Sequence, residues 1–242
     1  MWLPLQATAG LADGKTYTGN LNLSPETAME LELGFDFQSG LASLSPRLFY
    51  RHVDDHIQGT TSGNSPAVMF TRMMNIMNGT NNDDPLEFNN VDANYYGIDV
   101  DWHYTLSDRW SLSGLANYVR GTRHDTGDDL YRIAPLNALF AINYQHTNRG
   151  VSLQNFWYRD QRHVSETNNE TPSKGYSLAN LVGFWQVTEG LRVSTGVDNI
   201  TDRKYRDHLS GMNRVSGNND VARGERLPGN GRSAFLRVDW RW

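Results

Sequence analysis

Cysteine does not occur among the 242 residues, so the chain can form no disulfide, no thiolate metal site and no cysteine nucleophile. Long apolar runs do not occur either. The longest clearly apolar run covers residues 138–142, whereas a membrane-spanning helix needs about 20 apolar residues. The mean hydropathy of -0.60 and the net charge of -5 therefore argue against a helical membrane protein and against a general nucleic-acid-binding protein.

Motifs of the common hydrolases and nucleotide-binding proteins do not occur: there is no GxSxG, no HExxH and no P-loop pattern. The nearest approach to a catalytic group is His52, Asp54, Asp55 and His56, which a barrel hydrolase could carry at its rim. Their spacing is equally typical of a water-facing barrel wall, so we predict no enzymatic activity and no catalytic residue.

The first ten residues, MWLPLQATAG, contain no basic segment followed by a sustained apolar segment. Such a pair of segments is the mark of a secretory signal. If the protein lies in an outer membrane, we therefore expect its export signal to lie outside this chain.

The segment GRSAFLRVDWRW at 231–242 alternates strictly between apolar and polar residues. Successive side chains of a strand point to opposite sides, so one face of this strand suits lipid or a core and the other suits water. The apolar face carries Ala234, Leu236, Val238, Trp240 and Trp242. A strand of a soluble sandwich could show the same alternation, but a chain that ends on such an aromatic strand is typical of outer-membrane barrels.

The same period of two recurs along the chain and predicts about nine strands, near residues 29–37, 41–57, 86–104, 110–120, 136–146, 151–160, 176–187, 191–200 and 231–242. Tight turns near 39, 107, 148 and 189 alternate with long loops at 59–85, 121–134, 161–175 and 203–230. Bacterial barrels have short periplasmic turns and long extracellular loops. We therefore predict an all-β, antiparallel up-and-down transmembrane β-barrel segment whose long loops face the cell exterior.

Aromatic residues concentrate near the tight-turn ends of the predicted strands. Amphipathic rings prefer the boundary between lipid and water, so we predict one interfacial girdle there, although ordinary core aromatics would give a similar pattern. The girdle residues are Phe37, Trp102, Tyr104, Trp110, Tyr144, Trp185, Trp240 and Trp242.

Four of the seven methionines, Met69, Met73, Met74 and Met77, fall within the first long loop. Thioether sulfur is a soft ligand that suits Cu(I), so these residues are the candidate metal ligands of the chain. Methionine also fills irregular gaps, and a small apolar flap over the barrel mouth is the alternative interpretation.

Several blocks resemble one family: NLNLSPE at 20–26, YYGIDVDWHY at 95–104, RIAPLNA at 132–138, GVDNITDRKYRDH at 196–208 and the terminal GRSAFLRVDWRW. Together they look like the C-terminal part of a TonB-dependent outer-membrane receptor. Within that family, NNVDANYYG at 89–97 and RDHLSGMNRV at 206–215 are most similar to the copper-receptor branch.

The resemblance implies a 22-stranded barrel in the outer membrane of a Gram-negative bacterium, occluded by a plug domain through which TonB energises uptake of a scarce nutrient, here copper. By that resemblance, residues 1–25 are an extracellular loop remnant, residues 26–242 are the C-terminal part of the barrel, and the plug is absent from the chain. The implied partners are outer-membrane lipid, the missing plug and remaining strands, TonB through that plug, and the barrel assembly machinery through the terminal strand. No bound cofactor is expected; copper would be cargo.

Other functions stay open at this stage. A receptor for a siderophore or another metal chelate would share the same barrel. A self-contained small pore or adhesin would close without any upstream region, and a soluble β-rich binding domain would be purified without detergent.

The terminal aromatic generates a first prediction. Because Trp242 resembles the C-terminal aromatic that the assembly machinery reads, Trp242→Ala should lower the folded fraction of the whole receptor, measured by heat modifiability on a gel. Ser233→Ala, on the opposite face of the same strand, is the control. Equal folded fractions for the two variants would contradict the prediction.

Overall fold

The structure is a computed structural model that describes residues 6–8, 13–61, 65–79, 83–215, 217 and 220–241. Its elements, in chain order, are β1 Gln6–Thr8, β2 Thr16–Thr18, β3 Thr27–Gly34, β4 Phe37–Ser39, β5 Ala42–Thr61, α1 Pro66–Asn78, β6 Leu86–Thr105, β7 Trp110–Arg123, β8 Asn137–His146, β9 Arg149–Tyr158, β10 Tyr176–Thr188, β11 Leu191–Asp198 and β12 Ser233–Trp240. In this described part of the chain, no helix is long and apolar enough to cross a membrane.

The strands form one up-and-down wall. From β5 to β12 each strand pairs antiparallel with the next, and β3 and β4 pair with β5 as two pieces of one edge strand. That edge strand and the eight strands β5 to β12 give the nine predicted strands, which confirms the predicted fold class. The short β1–β2 pair, which falls within the predicted loop remnant 1–25, is attached through β2, parallel to the start of β6 at Leu86.

The interruption between β3 and β4 lies opposite Pro46. Proline has no backbone N–H to give to a strand ladder, so a regular edge strand would lack a donor here. Arg47 fills the place: its guanidinium donates to the Phe35 carbonyl at 3.1 Å and to both carboxylate oxygens of Asp36 at 2.7 and 2.8 Å. The edge therefore bends without losing its attachment to β5.

The pairing register gives the wall one apolar and one polar face. Ile142, Leu153 and Leu181 are paired side by side across β8, β9 and β10, and all point outward. Their neighbours point inward: Ser152 donates to Asn143 at 2.7 Å on the concave side. The concave face of β3 and β5 also carries the Glu30–Arg51 ion pair. The alternation read from the sequence thus becomes a wall with an apolar outer face and a hydrated inner face.

The predicted girdle residues share the outer face at the tight-turn end. Phe37 is paired with Leu44, Trp102 with Leu44 from the other side, and Trp110 with Tyr144, with which it also makes a ring contact at 4.9 Å. Trp185, Tyr104 and Trp240 are exposed on the same face. Trp242 lies outside the described residues.

A second aromatic row, which the sequence interpretation missed, follows at the other end of the outer face: Tyr50, Tyr96, Tyr118 and Trp157. Tyr96 lies eight residues along β6 from Tyr104, and Tyr118 eight residues along β7 from Trp110. Eight residues rise about 27 Å along a strand, which after a tilt of about 40° approaches the apolar band of about 25 Å in outer-membrane barrels. The same alternation, followed to the long-loop ends, would have revealed this row.

The prediction that the first long loop, 59–85, has no regular structure is wrong in the middle of the segment. There α1 occupies residues Pro66–Asn78. Ser65 caps the helix by accepting from Val68 N at 3.3 Å, and Gly79 ends it with a left-handed φ of 62°. A serine followed by proline at the start and a glycine at the end are ordinary helix boundaries. The richness of the segment in Asn and Thr concealed them.

The topology generates a second prediction. The chain has no cysteine, so a single Thr126→Cys at the long-loop end should react with a membrane-impermeant maleimide on intact cells, whereas Asp108→Cys in a tight turn should react only after lysis. Both positions are exposed, so a difference in labelling reports the side of the membrane. Labelling of Asp108→Cys alone on intact cells would reverse the proposed orientation.

Candidate functional site

Three of the long loops turn inward over the concave face of the wall. We call the segments 124–136, 164–175 and 199–232, the last without residues 216, 218 and 219, together the roof. Leu130, from the first segment, is buried against Val53 and Ala93 of the inner wall. A surface that closes over the concave side in this way is the natural place for a ligand to enter or to be retained.

Asp128 ties the first roof segment to the second. Its carboxylate accepts from Glu166 N at 2.9 Å, from Thr167 N at 3.0 Å and from the Ser165 hydroxyl at 3.2 Å. Burial acts to raise the pKa of Asp128, but hydrogen bonds from Thr167, Glu166 and Ser165 outweigh it and hold the pKa below its ordinary value. The contact therefore depends on the carboxylate being ionised.

Asn168 ties the second segment to the wall. Its amide group donates to the Gly59 carbonyl on β5 at 3.1 Å, and its carbonyl accepts from the Gln58 side chain at 3.1 Å. Asn168 and Gln58 are both buried. A buried polar pair of this kind is stable only when its groups are satisfied, and here the pairing joins residues 109 and 110 positions apart.

Glu170 joins the second segment to the third. One oxygen accepts from Arg132 N at 3.2 Å and the other from Ser165 N at 3.0 Å. The first oxygen also lies 3.1 Å from Nε2 of His208, within ion-pair distance but without the alignment of a hydrogen bond. Arg226 completes the joint by donating to the His208 and Thr171 carbonyls, and burial lowers the pKa of its guanidinium.

Asp13 holds two tyrosines beneath the roof. It accepts from the Tyr17 hydroxyl at 2.5 Å and from the Tyr131 hydroxyl at 2.7 Å. Burial, and then the contact with Asp13, raises the pKa of both phenols far above the ordinary value. These phenols therefore act as hydrogen-bond donors and not as bases. The adjoining cavity of about 220 Å³ carries three acidic groups, Asp13, Asp83 and Glu170, and three basic groups, Lys15, Arg132 and Arg226, so it has no net preference for an ion of either sign.

The candidate metal ligands lie on α1. Met69, Met73 and Met77 are spaced four residues apart, so they follow one face of the helix, and Met74 is the neighbour of Met77 one turn back. The exposed fractions are 65% for Met69, 49% for Met73 and 70% for Met77. Three of the four are exposed in this chain, together with Phe70 and Ile76.

Harder ligands do not cluster in the same way. The described residues contain no group of three or more His, Cys, Asp or Glu side chains that could hold a metal ion. The methionine face of α1 offers thioether sulfur, in a segment that the Arg72–Asp84 ion pair holds at 2.6 Å to the chain entering β6. Its chemistry suits a soft, monovalent cation.

The four polar residues considered as catalytic are not assembled into a catalytic site. His52 contacts Asp54 at 3.1 Å and Asn94 at 2.7 Å, whereas His56 contacts Glu26 at 2.9 Å. Asp55 has a left-handed φ of 58° at a shift in the β5–β6 register, which separates the two histidines. No serine or threonine contact joins either histidine in the described hydrogen bonds, so a nucleophile and base pair is not formed there.

Comparison with known proteins adds a family. The sequence model described as TonB dependent receptor-like, beta-barrel matches residues 4–200. Hemoglobin-binding protein A of Haemophilus influenzae is 24% identical over 222 residues, covering 78% of this chain and 20% of that protein.

Two solved structures are similar in fold. The copper transporter OprC has a TM-score of 0.75 at 20% identity, over 90% of this chain and 31% of that one. The ferric yersiniabactin uptake receptor FyuA from Yersinia pestis has a TM-score of 0.59 at 19% identity, over 89% of this chain and 30% of that one. Identities this low establish the fold and leave the cargo open.

Asp128 generates a third prediction. Asp128→Asn should expose residues 165–168. The amide nitrogen of the asparagine would face N–H groups that now donate hydrogen bonds to the carboxylate, and each donor left unpaired costs about 1–3 kcal/mol. We expect faster hydrogen exchange in this segment at pH 7. A carboxylate whose pKa is lowered in the folded protein stabilises the fold at pH values above its ordinary pKa. That stabilisation is lost as the pH falls through the lowered pKa. The hydrogen-exchange rate of the unmodified protein should therefore approach that of the variant only below about pH 4.

Asp125→Asn is the matched control. Asp125 pairs with Arg123, the last residue of β7, at 2.6 Å and is exposed, and exposed pairs contribute about 1 kcal/mol or less. Exchange at 165–168 that rises equally in both variants would show that Asp128 has no special role in the roof.

Proposed function

Because the chain belongs to the TonB-dependent receptor β-barrel family, we propose that it forms part of an outer-membrane receptor that takes up a scarce nutrient, with copper as the cargo. The chain spans about a fifth of the curated relative and about a third of the solved receptors that it resembles. In this proposal the remaining strands close the barrel to 22, a plug fills it, and TonB supplies the energy through that plug. The assembly machinery recognises the terminal strand.

The observation that carries the transport proposal is the pair of faces on the wall. An apolar outer face bounded by two aromatic rows fits a lipid bilayer. The inner face is hydrated and is covered by polar loops. A soluble sandwich would instead bury its apolar face against a second sheet, and in the described residues Leu153, Leu181 and Trp185 remain exposed on that face.

The observation that supports copper is the exposure of the methionines on α1. A methionine retained for its packing should be buried, because gap filling acts through contacts with neighbouring side chains. Met69, Met73 and Met77 have no such burial. Two thioethers on successive turns of a helix have Cβ atoms about 5–6 Å apart, close enough for both sulfurs to reach one Cu(I) ion after rotation of their side chains.

The same exposed face supports a second candidate. Phe70 and Ile76 extend the apolar surface of α1, and an exposed apolar patch can also dock a protein. A relative of this chain is named for binding hemoglobin. The two candidates differ in one property: metal capture requires sulfur, whereas protein docking requires only apolar area.

A fourth prediction separates them. Replacing Met69, Met73, Met74 and Met77 together by leucine keeps the apolar volume and the helix propensity while removing every sulfur of the cluster. We expect the variant receptor to assemble normally and to bind Cu(I) less tightly by roughly tenfold, which corresponds to about 1.4 kcal/mol. Calorimetry under anaerobic conditions measures the affinity, and uptake under limiting copper measures the consequence.

Phe70→Leu with Ile76→Leu on the same helix is the matched control, because it alters the same surface without touching sulfur. Unchanged Cu(I) binding in the methionine variant would remove copper as the cargo. If that variant also retained binding of hemoglobin, and a variant with polar residues at positions 70 and 76 lost it, the second candidate would replace the first.

A further inference from the structure

A pocket opens through the wall at its long-loop end, between β7 and β9. β7 continues to Arg123, but its pairing with β8 ends at Asn117, opposite Asn137, because the chain before β8 has turned inward. Leu130 of that segment is buried on the concave side. Between Asn117 and the Thr122–Asp129 bridge, the space that a strand would have filled is left as a pocket of about 610 Å³.

The outer side of this pocket repeats one pattern on both flanks. In β7 the outward position after Tyr118 is Arg120; in β9 the last outward position is Trp157, and Arg159 follows at the next one. On each flank an arginine therefore stands one outward step, about 6–7 Å of strand, beyond the upper aromatic row. Aromatic rings mark the boundary of the hydrocarbon, so the arginines lie at the level of lipid headgroups.

The charges around the pocket favour an anion. Arg120, Arg159 and Arg162 face Asp129 and Asp160, which leaves one positive charge before His163 is counted. Arg120 is paired with Asp129 at 3.1 Å and Arg162 with Asp160 at 3.0 Å. Within the described residues Arg159 forms no ion pair. Arg162 is 80% exposed, and an exposed pair contributes about 1 kcal/mol or less, so Arg162 can exchange Asp160 for a more highly charged partner.

Part of the lining of the pocket is apolar. Ile133, Leu136 and the ring of Trp157 line it below the arginines. A free anion uses only the charged rim, whereas a ligand with a phosphate attached to a sugar and acyl chains uses both the rim and the apolar part of the lining. The acyl chains of such a ligand would continue directly onto the apolar outer face of β8 and β9, where Phe140 and Leu153 are exposed.

We propose that the pocket between β7 and β9 is a binding site for the phosphorylated headgroup of an outer-leaflet glycolipid. Arg159 and Arg162 hold the phosphate by charge-assisted hydrogen bonds, and Arg120 remains with Asp129 as the fixed side of the pocket. The proposal rests on the outer-membrane position proposed above but is independent of the cargo, because the site uses none of the methionines of α1.

The test uses the whole receptor purified in detergent, with native mass spectrometry to measure bound lipid. Bis-phosphorylated lipid A is the probe, and lipid A stripped of phosphate is its counterpart. Arg159→Gln with Arg162→Gln removes both charges and keeps a polar, hydrogen-bonding side chain at each position. We expect the unmodified protein to retain the phosphorylated probe about tenfold more tightly than the stripped one, and the double variant to lose that preference.

Arg149→Gln is the matched control, because Arg149 is exposed at the tight-turn end of the same strand β9. An equal loss in this control would mean general attraction of charge and would overturn the site. Retention of the preference in the double variant would do the same, and displacement of the lipid by millimolar inorganic phosphate would identify a free-anion site instead. Cu(I) binding measured on the same samples tests the proposed cargo separately. The lipid-site proposal and the copper proposal can therefore fail independently.

Discussion

Pairing of every backbone N–H and C=O at the level of the hydrocarbon is the constraint on which this structure depends. The β5–β6 register runs without a shift from Ala42 to Val53, through the region between the two aromatic rows. Its shift, before His56, comes only beyond Tyr50, and the β10–β11 shift comes beyond Trp185 at the opposite end. These two shifts lie at levels where water can satisfy the backbone, and at the break between β3 and β4, which lies between the two rows, Arg47 donates to the Phe35 carbonyl instead.

The same constraint explains why so much of what is buried is polar. The wall needs no apolar core of its own, because lipid covers one face and water the other. Burial arises instead where the roof folds back on the inner wall, and there the buried side chains include Gln58, Asn168, His208 and Arg226. Each links segments distant in sequence, so the roof gains its order from satisfied hydrogen bonds more than from apolar area.

The wall could be predicted from the sequence and the roof could not, for a physical reason. Strand positions follow from the local alternation of apolar and polar residues. The sequence therefore predicts the bounds of β6 and β10 to within one residue at each end. The contacts of Asn168 with Gln58 and Gly59 depend on how a loop crosses the lumen, which no local pattern encodes. The prediction of a loop in place of α1 failed for a different reason. Ser65, Pro66 and Gly79 are local signals of a helix, but the polar composition of the surrounding segment is typical of a loop.

The alternation of inward and outward side chains along each strand also determines how the proposed lipid site relates to the roof. A side chain pointing inward from β7, such as Leu115, and its outward neighbour Ala116 share one backbone but face opposite sides of the wall. Residues at outward positions of the rim can therefore be substituted without changing the hydrogen bonds of the wall or the contacts that inward side chains make with the roof. Where the wall opens, between β7 and β9, the two sides meet: Asp129 of the roof is paired there with Arg120, which stands at an outward position of β7. This one ion pair is the place where lipid binding and the order of the roof can be coupled.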